Sequence, residues 1–155
     1  RKRNYRGLCR YPAQYKEMYP NEPALTEQMV HELHWVVMSP VNRHIAGVYS
    51  PNKRKTLHSE NGNCLYYPDP QFVKEKMYVL VDDAYAMTAY FHMVINTKGI
   101  DEFIFKRVMK FFAYFFHCFV SLHPYVDGNG RTARLLICFL HNLISPEPMS
   151  ILNST

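Results

Sequence analysis

Apolar residues recur at helical spacing along most of the chain. Leu25, Met29, Leu33 and the pair Val36/Val37 fall three or four apart, the period of one buried helix face. Pro23, tolerated in a first turn, predicts the start of this helix, and Ser39-Pro40 predicts its end. His31 and His34 fall inside it and are expected at the surface or its boundary, away from chemistry. Val73, Met77 and Leu80/Val81 repeat the spacing after Asp69-Pro70, a cap residue followed by proline at the first helical position. Asp82-Asp83 marks either a break or a solvated edge, and Ala84 to Asn96 is helical again. Thr97-Lys98-Gly99 reads as a loop. Asp101 is expected to cap a helix over about 102–121, apolar almost all round and therefore predicted to be central. His117 within it reads as a core or boundary histidine. A last helix, from about Gly130 to Leu143, sets Leu135, Phe139 and Leu143 on one line, and Pro146 and Pro148 stop it.

From Ile45 to Tyr67 the helical period fails, and Pro51, Asn52, Asn61, Gly62 and Asn63 gather as turn formers. Short runs at Gly47 to Ser50 and Cys64 to Tyr67 are predicted to pair as a hairpin, with Lys53-Arg54-Lys55 at its tip. The pattern therefore predicts an all-α domain with a small β-hairpin over about 47–67. A chain of 155 residues fits one domain. Its boundaries are expected at 23–146, between an irregular lead-in (1–22) and a tail (147–155). The first residue is not Met, and the chain is expected to be a piece of a longer one. No apolar run reaches the roughly 18 residues of a membrane span; Phe111 to Leu122 comes nearest and reads as a buried helix.

The net charge of +5 changes the picture less than its size implies. Five of the 18 Lys and Arg (Arg1, Lys2, Arg3, Arg6 and Arg10) stand in the first ten residues, which hold no acid. The body then has as many bases as its 13 acids and is neutral, so a nucleic-acid partner is not expected. Cys9, Cys64, Cys118 and Cys138 show no Cys-x-x-Cys spacing. Cys118 and Cys138 read as small core residues, and this usage favours an intracellular setting.

One stretch resists the core pattern. Between the apolar segments Phe103 to Leu122 and Leu135 to Ile144 stands His-Pro-Tyr-Val-Asp-Gly-Asn-Gly-Arg-Thr-Ala-Arg, residues 123 to 134. Gly128 and Gly130 free the backbone for close approach, and helix formers follow at once. The amides around Gly128, Asn129 and Gly130 should then point out of a helix start, a nest for anions. Arg131 and Arg134 beside it fit several phosphates better than one carboxylate. Asp127 would repel phosphate oxygens unless a divalent ion such as Mg²⁺ stood between them. His123 lies outside the helix and can serve as a general base near neutral pH. Asn129 can donate its amide to a phosphate oxygen. Taken alone, Asp-Gly-Asn-Gly also reads as a plain turn, and His123 as a loop residue. The joint occurrence of base, carboxylate, nest and two arginines favours a site.

The stretch resembles the signature of the Fic family, His-Pro-Phe-x-(Asp/Glu)-Gly-Asn-Gly-Arg-x-x-Arg, with Tyr125 in place of Phe. A looser resemblance runs over about residues 25 to 145 and includes Ala-Gly-Val-Tyr at 46–49. Tyr125 can pack as Phe does, but its hydroxyl requires a partner. The resemblance implies a Fic-type helical domain with a central motif helix. It also implies transfer of AMP from ATP to a Ser, Thr or Tyr hydroxyl of a protein. His123 would be the base, Asp127 the Mg²⁺ ligand, and Gly128, Asn129 and Gly130 the cradle of the α/β-phosphates. Arg131 would steady the β-phosphate and Arg134 the γ-phosphate. The hairpin would be a flap whose edge aligns the target protein. Other Fic reactions (UMP or phosphocholine transfer, or removal of AMP) and a non-catalytic nucleotide-binding domain are the alternatives. Fic proteins are often restrained by a helix bearing (Ser/Thr)-x-x-x-Glu-(Gly/Asn). Thr56 to Asn61 fits that formula, but among turn formers of the flap, where no restraining helix is expected.

Overall fold

The structure, a computed structural model, describes residues 25–57, 62 and 64–145. The lead-in, Pro23 itself, residues 58–61 of the Thr56–Asn61 stretch, Pro146 and the tail lie outside the described residues; the helix expected to begin near Pro23 begins at Glu27. The first helix described, α1, runs over Glu27–Met38. Thr26 caps it, its hydroxyl accepting the Met29 amide at 3.2 Å. Its buried face comprises Met29, Val30, Leu33, Val37, Met38 and, against expectation, His34.

Helix α2, Pro70–Lys98, begins as the sequence predicts, with the Asp69 carboxylate accepting the Gln71 amide at 3.3 Å. It then continues for 29 residues without a break. Asp82 and Asp83 are both exposed, so the acidic pair is a solvated edge that leaves the helix intact. Thr97 and Lys98 stay helical, and only Gly99, at φ 76°, ends the run. Helix α3, Glu102–Leu122, has the predicted cap, Asp101 accepting the Ile104 amide at 2.7 Å.

The central element is not α3. That helix buries Val108, Phe111, Phe112, Phe115 and Phe119 but leaves Phe103, Phe105, Met109 and Tyr114 exposed. The centre belongs to α4, Asn129–Ile144, which packs against α1, α2 and α3. Small Thr132 and Ala133 lie fully buried near its start, followed by Leu135, Leu136, Phe139, Leu140 and Ile144. A helix with small residues at one end and large apolar ones beyond can be approached from several sides. His117 is exposed, while Cys118 and Cys138 are half-buried, Cys118 packing against the edge of the core. No helix of the described residues is long and apolar enough to cross a membrane.

The hairpin exists, but in a different register from the one expected. Strand β1 is Lys55–Leu57 and pairs antiparallel with β2, Cys64–Tyr66, placing Lys55 opposite Tyr66 and Leu57 opposite Cys64. Gly47 to Ser50 packs instead on the loop after α3, where Tyr49 bridges Tyr125 and the Ser50 amide reaches the Pro124 carbonyl at 2.9 Å. Lys53 and Arg54 therefore stand at the foot of the hairpin and not at its tip. Lys53 pairs with Asp69 at 3.0 Å, and Arg54 donates to the Pro68 carbonyl at 3.3 Å.

The core under the polar corner makes the first prediction. Phe119 is fully buried one turn before the end of α3 and faces the Tyr125 ring, centroids 6.4 Å apart. Phe119→Ala is expected to lower unfolding free energy by about 3–5 kcal/mol, measured by denaturant titration.

Candidate active site

Two left-handed residues shape the corner between α3 and α4. His123 caps α3 at φ 47°, ψ 56°, its amide bonded to the Phe119 carbonyl at 3.1 Å. Gly128 opens α4 at φ 80°, where any side chain is strained. A Cβ there would also stand 2.6 Å from the Met38 sulfur and 3.4 Å from His34 Nε2. Between the two, the Tyr125 amide donates to Asn129 Oδ1 at 2.9 Å, and Asn129 Nδ2 donates to the Tyr125 carbonyl at 2.8 Å. This reciprocal pair closes the loop into a ring. The Asn129 side chain, expected to face phosphate, is thus committed to the loop that carries the site. The Tyr125 hydroxyl finds its partner in His31 Nδ1 at 3.2 Å.

Helix geometry leaves the amides of Asn129, Gly130 and Arg131 without acceptors inside α4, while the Thr132 amide bonds back to the Gly128 carbonyl at 2.9 Å. The Arg134 guanidinium lies near this helix start, Nη1 3.6 Å from where a Gly130 Cβ would be. The Asp127 carboxylate accepts from the Gly128 amide and pairs with Arg131 Nη2 at 3.2 Å. Nη2 also touches the Met38 sulfur at 3.2 Å. Asp127 remains 63% exposed, an oxygen ligand open beside a run of free amides. That donor suits Mg²⁺ shared with phosphate oxygens. Among the described residues no three His, Cys, Asp or Glu side chains form an all-protein metal cage.

His123 is half-buried, and the Tyr67 ring lies over its imidazole at 4.0 Å and 15°. Tyr67 belongs to the hairpin foot: its amide donates to the Arg54 carbonyl at 3.1 Å and its hydroxyl contacts Thr56 Oγ1 at 2.7 Å. Burial pushes the His123 imidazole below its ordinary value of 6.5, and the Arg54 charge pushes the same way; the Val120 carbonyl and Asp127 oppose them. The ring is thereby biased toward its neutral form, the form that can accept a proton.

His34, expected at the surface or its boundary, stands instead inside the site. It is fully buried, and its ring stacks on Tyr125 at 3.6 Å and 5°. The Gly47 amide donates to Nδ1 at 2.8 Å, so Nδ1 is the acceptor and Nε2 carries the proton toward the Asp127 carbonyl, 2.9 Å away. Burial pushes this imidazole down as well. The usable signal is its spacing: apolar Val30 and Met38 stand four residues either side of it. Tyr67 and Arg54 had no comparable signal, since only the hairpin register brings them to His123.

Residues 24–141 match the model of the Fic/DOC family. A Fido domain-containing protein of Dictyostelium discoideum is 44% identical over 41 residues, 24% of this chain and 29% of that one. A Fic domain containing signaling protein from Bacteroides thetaiotaomicron VPI-5482 shares the fold, with a TM-score of 0.60 at 24% identity over 88% of this chain and 44% of its own. The chain spans less than half the length of either relative.

The close fit of Gly128 generates a prediction. Gly128→Ala adds left-handed strain and drives a Cβ into Met38, and is expected to remove about 1–3 kcal/mol of stability. Thermal unfolding of both proteins checks it; an unchanged midpoint would mean the loop has room to give.

Proposed function

The chain belongs to the Fic/DOC family, and from that premise we propose that it is a protein adenylyltransferase, moving AMP from ATP to a Ser, Thr or Tyr hydroxyl of a target protein. The observation that carries this reading is the start of α4, whose amides lack acceptors within the helix, with Asp127, Arg131 and Arg134 around it and His123 at the head of the loop that leads into it. His123 takes the hydroxyl proton as the target oxygen bonds to the α-phosphorus, and the bond from that phosphorus to the bridging oxygen breaks to release pyrophosphate. The amides of Asn129, Gly130 and Arg131, at the positive end of α4, cradle the α/β-phosphates. Arg131 turns from Asp127 to the β-phosphate, and Arg134 meets the γ-phosphate. Asp127 would hold Mg²⁺ together with phosphate oxygens, the ion offsetting charge on the leaving pyrophosphate. The Asn129 side chain acts through the loop, and its backbone amide faces the nucleotide. The target lies along the β1–β2 hairpin, an exposed two-stranded edge with free backbone groups.

The test offers the protein, Mg²⁺ and a cell extract ATP labelled on the α- or the γ-phosphate. Protein-bound label from the α form alone, absent with His123→Ala while Mg-ATP still binds, is the expected result. Label from the γ form would mean phosphate transfer, and no label from either would return the reading to other nucleotides or to binding alone. The His123 shift fixes the pH dependence. Burial and the Arg54 charge hold the His123 imidazole below the ordinary histidine range, so transfer should tolerate more acid than a free imidazole base would before it falls. Arg54→Gln removes a depressing charge and should move that acid limb to higher pH, read in a pH–rate profile.

A further inference from the structure

The segment that leads into the hairpin and the loop that carries Asp127 do not meet only by their backbones. Beyond the Tyr49–Tyr125 bridge and the Ser50–Pro124 bond, one side chain from a third element reaches both. His34 of α1 accepts from Gly47 on one edge of its ring and donates to the Asp127 carbonyl on the other. Its flat face is fixed against Tyr125, and Tyr125 is fixed in turn by Asn129 and His31. One turn further along α1, Met38 lies where a Gly128 Cβ would be and touches Arg131. The side of α1 carrying His34 and Met38 is therefore a seat for Asp127, Gly128 and Arg131 together. A fully buried imidazole with both nitrogens used leaves no freedom in where that seat puts the Asp127 backbone.

From this geometry we infer that His34 is a positioning residue for nucleotide transfer. Its Nε2–H fixes the Asp127 carbonyl and, through it, the direction in which the Asp127 carboxylate and the following α4 amides face. The inference rests on the reading that the start of α4 receives the nucleotide. It assigns the Asp127 contact to the chemistry and the Gly47 contact to holding the hairpin lead-in. The two contacts can be separated, because a glutamine amide reaches about as far as Nε2 and an asparagine amide only as far as Nδ1. His34→Gln retains a donor to the Asp127 carbonyl; His34→Asn retains only the acceptor for Gly47.

The experiment compares both variants with the unaltered chain in three measurements: thermal unfolding, kcat and KM for Mg-ATP in AMP transfer, and hydrogen exchange of the 128–131 amides. With similar melting of the two variants, His34→Asn should lose about 10- to 100-fold in kcat, the loss common for removed outer partners of a functional ligand. Its Mg²⁺ requirement should rise and its 128–131 amides exchange faster, while His34→Gln stays within a few-fold of the unaltered chain in each. Equal activity of the two variants, or a better His34→Asn, would overturn the inference. If the unaltered chain transfers no AMP, the proposed function fails and exchange decides this point alone, equal rates in the two variants counting against it. If neither variant folds, the imidazole proton of the unaltered chain decides: a slowly exchanging proton on Nε2 supports the assignment, and a proton on Nδ1 removes it.

Discussion

The reciprocal hydrogen bonds between Asn129 and the backbone of Tyr125 are the constraint on which the site depends. A polar corner placed between two apolar helices has to satisfy its own backbone groups or remain in water. The corner does so with a single side chain that offers an acceptor and a donor to one residue. With Tyr125 held, its ring becomes a buried plane on which His34 stacks and against which His31 and Tyr49 lean. The loop is thereby part of the core, and the charged groups that follow it inherit the rigidity of that core. Such prior placement is what electrostatic stabilisation of a developing charge requires.

Most of the helical frame was legible because its signals are local. Asp69-Pro70 and Asp101 announce helix starts by side chains that bond amides two or three residues on, and Gly99 announces an end by its left-handed backbone. The acidic pair at 82–83 was ambiguous for a physical reason: charges on the solvated side of a helix and charges in a break have the same composition. The apolar circumference of α3 misled because four of its large residues stay exposed, and sequence alone does not count the sides on which a helix has neighbours. The all-α fold with its small hairpin and a central helix after the signature nevertheless follows from the pattern and the family resemblance together.

The site divides in the same way. His123, Asp127 and the arginines were visible as types in a tight spacing, and the start of α4 places Asp127 and both arginines around the same few amides. What stayed hidden was everything that needs a partner from elsewhere in the chain. Arg54 and Tyr67 reach His123 only because β1 pairs with β2 in one register, and a shift by one residue would turn each to the opposite face. His34 reaches Asp127 across 93 positions of sequence. The chemistry of Asn129 suits a phosphate oxygen, yet the same chemistry closes the loop.

The face-to-face stack of Tyr67 on His123 makes the imidazole its own reporter. An aromatic ring held flat over a histidine shields the carbon-bound protons beneath it through its induced ring current. The magnetic environment of His123 thus encodes the location of the hairpin foot. A peptide that lifted the hairpin would alter that shielding without touching the histidine. One resonance would then carry two messages, its drift with acidity giving the protonation of the imidazole and its offset giving the posture of the strand pair.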